Sequence, residues 1–92
     1  MMDLDDLFDQ LEEAEAFLLE PRAVFDVALI GIADRAGGLR VAAYDTDKCI
    51  AALQKQNNWE YEDALEWFET NTLGSHVGDG TPVFIGLLED DA

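Results

Sequence analysis

Between Asp3 and Leu19 the apolar residues Leu4, Leu7, Phe8, Leu11, Ala14 and Leu18 recur every three or four positions, the spacing that lines one side of an α-helix. The pattern predicts a helix over that span, ended by Glu20-Pro21, because proline disfavours helical geometry in the residue before it. The next run, VFDVALIGIA from Val24 to Ala33, is rich in apolar and β-branched types and predicts a strand buried on both faces, at the centre of a sheet. After Asp34-Arg35-Ala36-Gly37-Gly38, the segment LRVAAY from Leu39 to Tyr44 predicts a second strand. A short connection containing glycines leaves no room for a parallel crossover, so the two strands read as an antiparallel hairpin.

Asp45 stands where a helix N-cap belongs, and Cys49, Ile50 and Leu53 share one side of a helix running to about Gln56, where Asn57-Asn58 breaks it. A third helix is expected from Tyr61 to Leu73. Tyr61, Ala64, Leu65 and Phe68 lie on one face, Glu62, Asp63, Glu66 and Glu69 on the other, with Gly74 as the C-terminal cap. The loop SHVGDGTP leads to Pro82, which can open a last strand, VFIGLL, from Val83 to Leu88. The expected fold class is α+β, in the order α-β-β-α-α-β: a small, three-stranded, largely antiparallel sheet with two helices on one face and the first helix beside them. Residues 1–92 form one domain, with a helix in residues 1–20 ahead of an α+β core at 24–88.

Charge changes this picture most. The chain has 92 residues, 21 Asp plus Glu against 5 Lys plus Arg, and a formal net charge of −16. Direct binding to a nucleic-acid backbone or an anionic membrane surface is excluded, since both require a cationic surplus. Such a charge often accompanies disorder, but 49% hydrophobic and 10% aromatic content is enough to build a core. A domain this small buries only roughly 60–65% of the surface its unfolded chain exposes, which leaves no room for a large multi-substrate enzyme. The N-terminus MMDLDDLFDQ has no cationic region ahead of an apolar stretch, and no apolar run approaches the ~20 residues of a membrane helix. Cys49 is the only cysteine, so no internal disulfide staples the domain, and a cytoplasmic protein is expected.

The charge is segregated. Residues 1–20 carry net −8, residues 21–58 net +1 and residues 59–92 net −9. On the first helix Asp5, Asp9, Glu12, Glu13 and Ala16 mark a face opposite the leucines; on the third, Glu62, Glu66 and Glu69 form a second row. Carboxylates four residues apart rise about 6 Å along a helix axis, close to every second phosphate of a DNA strand at ~3.4 Å per nucleotide. Such a row can occupy a basic groove built for nucleic acid. The plainer account of both rows is a solvated face that serves solubility, including adaptation to high salt.

Other constellations carry less. Ser75, His76 and Asp79 fall in one loop, where adjacent Ser and His cannot readily orient a relay. Asp45, Asp47 and His76 lack the third oxygen ligand, the glycine and the distant Glu of a Ca²⁺ loop. VGDGTP lacks the Gly-Lys-Ser/Thr ending of a phosphate cradle, and Cys49 reads as a small core residue. No catalytic, cofactor or metal site is expected. Trp59 precedes the third helix and Trp67 lies within it; each reads first as a core residue, and one of them left exposed beside carboxylates would suit an interface anchor.

The segments ALIGIAD, YDTDKCIAAL, YEDALEWFETNTLG and VGDGTPVFI, spread over the stretch from Val27 to Ile85 that makes up about two thirds of the chain, resemble a family of small, mostly uncharacterised proteins of phages, prophages and other mobile elements. The resemblance implies a compact α+β fold and no established reaction. The chain departs from the pattern at Glu60, where a Ser or Thr cap is usual, and in its acidic first helix, which looks like an addition to the common core. The expectation is a phage-type binding protein whose residues Asp5, Asp9, Glu12, Glu13, Glu62, Glu66 and Glu69 engage a basic, nucleic-acid-binding host protein. Anti-CRISPR and anti-restriction proteins that mimic nucleic acid act in this way. The alternative is a non-enzymatic accessory or structural protein of a phage or salt-adapted organism. A homodimer pairing through the last strand or the exposed aromatics is compatible with either.

Overall fold

The computed structural model describes residues 2–73 and 78–88. Four helices, α1 (Leu4–Glu13), α2 (Arg22–Phe25), α3 (Thr46–Asn57) and α4 (Tyr61–Phe68), accompany strands β1 (Leu29–Arg35), β2 (Leu39–Asp45) and β3 (Val83–Ile85). The sheet order is β1-β2-β3, and the fold is α+β. β1 and β2 form the expected antiparallel hairpin, Ile32 facing Ala42 and Asp34 facing Arg40, with Gly37 and Gly38 at positive φ in the turn. β3 lies parallel to β2, Tyr44 beside Phe84, so the sheet is mixed. The whole of α3 and α4 separates β2 from β3, which gives the chain the length a parallel crossover needs.

Three boundaries differ from the sequence pattern. The first helix stops at Glu13 instead of Leu19. Glu15 takes the left-handed conformation at φ 57°, its N–H bonds the Glu12 carbonyl at 3.0 Å, and the Ala16 N–H bonds the Leu11 carbonyl at 3.0 Å. This doubly bonded C-terminal turn satisfies the last carbonyls. Ala16, Leu18 and Leu19 pack against the core from non-helical chain, so their inward placement does not follow the helical phase, and Ala14, counted in the apolar stripe, is exposed.

The run from Val24 to Ala33 is neither one strand nor central. Its first half is helical: the Pro21 carbonyl accepts the N–H groups of Val24 and Phe25, and Arg22 pairs with Asp26 one turn on, at 3.0 Å. A 3₁₀ turn over Asp26–Ala28 follows. Phe25, Ala28 and Leu29 are buried, while Val27 is 70% exposed. A strand begins only at Leu29, and it is an edge. The central position belongs to β2, whose residues 41–45 are all buried. The last strand is also shorter than expected, since Gly86, Leu87 and Leu88 run on outside the sheet and exposed.

The second half keeps its expected punctuation. The Asp45 carboxylate caps α3 by accepting the Lys48 N–H at 3.2 Å, and Asn58 ends it in the left-handed conformation. Glu60 precedes α4 without a side-chain cap. Ala64 and Phe68 are buried and Leu65 packs against the core, while Tyr61 at the start of α4 is half exposed. After Phe68 the helix widens into a single π turn over Glu69–Leu73. The predicted Gly74 cap lies outside the described residues, as do Ser75 and His76.

One apolar cluster joins these parts. Leu7 and Leu11 of α1, Ala42 and Tyr44 of β2, Cys49, Ile50 and Leu53 of α3, and Ala64 and Phe68 of α4 all belong to it. Phe84 of β3 completes the cluster, its ring 5.9 Å from that of Tyr44 and edge-on to Phe68 at 5.1 Å.

Candidate functional site

The amphipathic character of α1 decides where its carboxylates stand. Leu7 and Leu11 dock into the core, so residues half a turn away must face water. Asp5, Asp9, Glu12 and Glu13 all lie within the helix and are exposed. Asp9, Glu12 and Glu13 line one shallow depression, and Asp5 continues the row by one turn towards the N-terminus. The Asp3 carboxylate caps the helix through the Asp6 N–H at 2.9 Å. Ala16, assigned to the same face by spacing, falls beyond the helix end and packs inward.

On α4 the same logic applies. Ala64 and Phe68 are buried, and Glu62 and Glu66 are exposed on the opposite side. Glu69 is also exposed, and as the first residue of the widened turn it keeps helical backbone angles. The two rows rest on different supports: α1 packs against β1 and β2, α4 against α3. They also line separate depressions, the α4 side contributing Asp63 and Glu66 to its own.

None of the seven predicted carboxylates takes part in an ion pair among the described residues. The two salt bridges found there are Arg22–Asp26 and Arg40–Asp34, each at 3.0 Å and each on the nearly neutral middle stretch. Arg40 also donates to Gln10 Oε1 at 2.7 Å, which fixes α1 to the sheet. Arg22 lies over the Phe8 ring, 4.7 Å from its centroid. The paired cations of the described structure are thus engaged away from both acidic rows, which have no ion-pair partner among the described residues.

A second feature adjoins the α4 row. Trp59 and Trp67 touch, ring centroids 6.3 Å apart and planes tilted by 47°, and with Asp63, Glu66, Thr70 and Asn71 they line a shallow, open cleft. Trp59 packs against the core, whereas Trp67 is 38% exposed. The Asn71 side chain donates to the Trp67 carbonyl at 3.1 Å across the start of the π turn. Asp63, Thr70 and Asn71 are not among the sequence-derived site residues. Spacing offered a signal only for Asp63, Trp67 and Asn71, which recur every four residues; Trp59 precedes the helix and Thr70 falls outside that spacing.

Two further candidates, Cys49 and Asp45, have structural explanations. Cys49 is fully buried, and desolvation, with Asp45 nearby as a smaller cause, pushes its thiol up to about 12, which suppresses the nucleophilic thiolate. Asp45 is occupied as a cap. Among the described residues no group of His, Cys, Asp and Glu could hold a metal ion, and no helix is long and apolar enough to cross a membrane.

Comparison of the chain with protein-family models, with curated proteins and with solved structures gave no match.

Proposed function

We propose that this is a non-enzymatic binding protein of phage or mobile-element type that engages a basic, nucleic-acid-binding host protein through its acidic helices. The observation that carries the reading is the exposure of seven carboxylates, Asp5, Asp9, Glu12, Glu13, Glu62, Glu66 and Glu69, on two helices with no cationic partner among the described residues. Neighbouring like charges on a helix repel, so an unanswered row favours any partner that supplies the opposite charge. A row of carboxylates about 6 Å apart on a rigid helix approximates alternate phosphates of a nucleic-acid strand. In this reading the protein acts inside the host cell and occupies a groove that otherwise holds DNA or RNA, in a defence protein such as a CRISPR or restriction component.

The test is capture from host lysate at ~0.15 M salt, where charges beyond about a Debye length are already screened. The wild type is set beside a variant carrying Asp5→Asn, Asp9→Asn, Glu12→Gln and Glu13→Gln. The reading expects a basic nucleic-acid-binding protein that the wild type retains and the variant loses. Equal retention by both removes α1 from the interface.

One observation favours a second reading, an accessory or structural protein of a phage or salt-adapted organism. The α1 carboxylates sit where burial of Leu7 and Leu11 already requires polar side chains, so solubility alone accounts for their position. The salt dependence of stability separates the two.

A further inference from the structure

Among the described residues, one guanidinium is held between a ring and a carboxylate. Arg22 lies 4.7 Å from the centroid of the Phe8 ring, and the same side chain pairs with Asp26 at 3.0 Å. The Trp cleft has the same ring and carboxylate components without the guanidinium. Trp67 is partly exposed beside Trp59, and Asp63, one helical turn before Trp67, and Glu66, its neighbour in sequence, are exposed and take part in no ion pair among the described residues.

We propose that the cleft receives an arginine side chain of the basic partner, its guanidinium stacked on the indole of Trp67 and paired with Asp63 and Glu66. This rests on the reading that the partner is basic. Tryptophan offers the strongest cation–π face among the aromatic side chains. Arginine fits better than lysine because its planar fork can lie flat on a ring while its edge pairs with a carboxylate, which a compact, strongly hydrated ammonium cannot do. Trp59, packed against the core, touches Trp67 and limits its movement. The cleft adds directional recognition to two rows that otherwise offer only charge.

Trp59 and Trp67 are the only tryptophans in the chain, so intrinsic fluorescence of the whole protein reads the cleft directly. The probe is N-acetyl-arginine methylamide, titrated at constant ionic strength beside its citrulline counterpart, which has nearly the same shape without charge, and its lysine counterpart. The proposal expects a saturable change in emission for the arginine amide in the millimolar range, with affinity about fivefold or more above the other two, the ratio for ~1 kcal/mol of cation–π and charge pairing. Asp63→Asn with Glu66→Gln, both at exposed positions, weakens it by a similar factor. Trp67→Phe, still reported by Trp59, weakens it as well. No saturable response, equal responses to arginine and citrulline, or a lysine response as strong as that to arginine overturns the proposal. The variant neutralised on α1 keeps the response if the cleft is a separate site. If Asp63→Asn with Glu66→Gln captures the lysate partner unchanged, the cleft is excluded and the basic-partner reading stands. If the amide binds and no basic protein is captured, the reading fails and the cleft stands.

Discussion

The hydroxyl of Tyr44, next to the last residue of the central strand β2, accepts the backbone N–H of Leu19 at 2.9 Å, across 25 residues of chain. This bond ties the extended segment after α1 to the middle of the sheet, and it gives the fully buried Tyr44 hydroxyl the partner that burial requires. Tyr44→Phe keeps the ring against Phe84 but leaves the part-buried Leu19 N–H unpaired. We expect a loss of about 1–2 kcal/mol in urea unfolding, with little change in the slope.

The turn that ends α1 makes a paired prediction. Glu15 at φ 57° occupies the position where helices prefer glycine, and a Cβ on Gly80 would meet Phe17 Cδ2 at 2.8 Å and the Glu15 carbonyl at 3.1 Å. Glu15→Gly should therefore stabilise by up to about 1 kcal/mol, whereas Gly80→Ala should destabilise by about 1 kcal/mol or more, because the Glu15 carbonyl is backbone and cannot swing away. Glu15→Gln separates the conformational effect from loss of a charge. Thermal midpoints of the three variants check the ordering.

Alkaline pH should unfold the protein through Cys49 and Tyr44. Burial raises both groups, the thiol to about 12, so the folded state holds its protons longer than the unfolded one. Stability is insensitive to these groups well below pH 9. It falls as pH rises from the ordinary thiol value towards 12, where the unfolded chain releases protons that the folded chain keeps. Chemical denaturation at pH 8, 9 and 10 should show midpoints that decline with pH, and Cys49→Ser should flatten the part due to the thiol. Iodoacetamide at pH 8 should label Cys49 only in denaturant.

Glu12 and Glu13 lie in the last turn of α1, which carries no basic residue, so they oppose the helix dipole as well as each other's neighbours. Asp9→Asn, Glu12→Gln and Glu13→Gln together should raise the thermal midpoint at low salt, and the gain should vanish as salt screens the row. In the wild type, the binding reading expects a midpoint that rises with KCl and levels off above ~0.2 M, where ordinary repulsion is largely screened. A midpoint that climbs throughout to molar KCl supports the salt-adapted reading instead.

What the sequence disclosed depended on how locally each feature is determined. α3 was legible because its cap, Asp45, and its breaker, Asn58, are adjacent to it and act through single side-chain or backbone conformations. The hairpin was legible from its short glycine turn. The stretch Val24–Ala28 was not, because a continuous apolar run suits either a strand or a helix. Its helical form depends on Pro21 and on Arg22 reaching Asp26. The parallel β2–β3 pairing left no local mark, since it follows from how α3 and α4 pack and not from any turn residue. The acidic faces were legible because Leu7, Leu11, Ala64 and Phe68 set the helical phase. The contact between Trp59 and Trp67 required the bend between α3 and α4, which residue spacing alone does not describe.

The most direct test of the account is competition. With the captured basic protein bound to immobilised wild-type chain at ~0.15 M salt, duplex DNA or structured RNA is titrated against the complex, beside an equally charged non-nucleic polyanion such as polyglutamate as control. If the acidic helices occupy a nucleic-acid groove, nucleic acid releases the protein at concentrations near its own affinity for that groove, and polyglutamate does so far less effectively. Retention of the partner at saturating nucleic acid, or equal release by both polyanions, contradicts it.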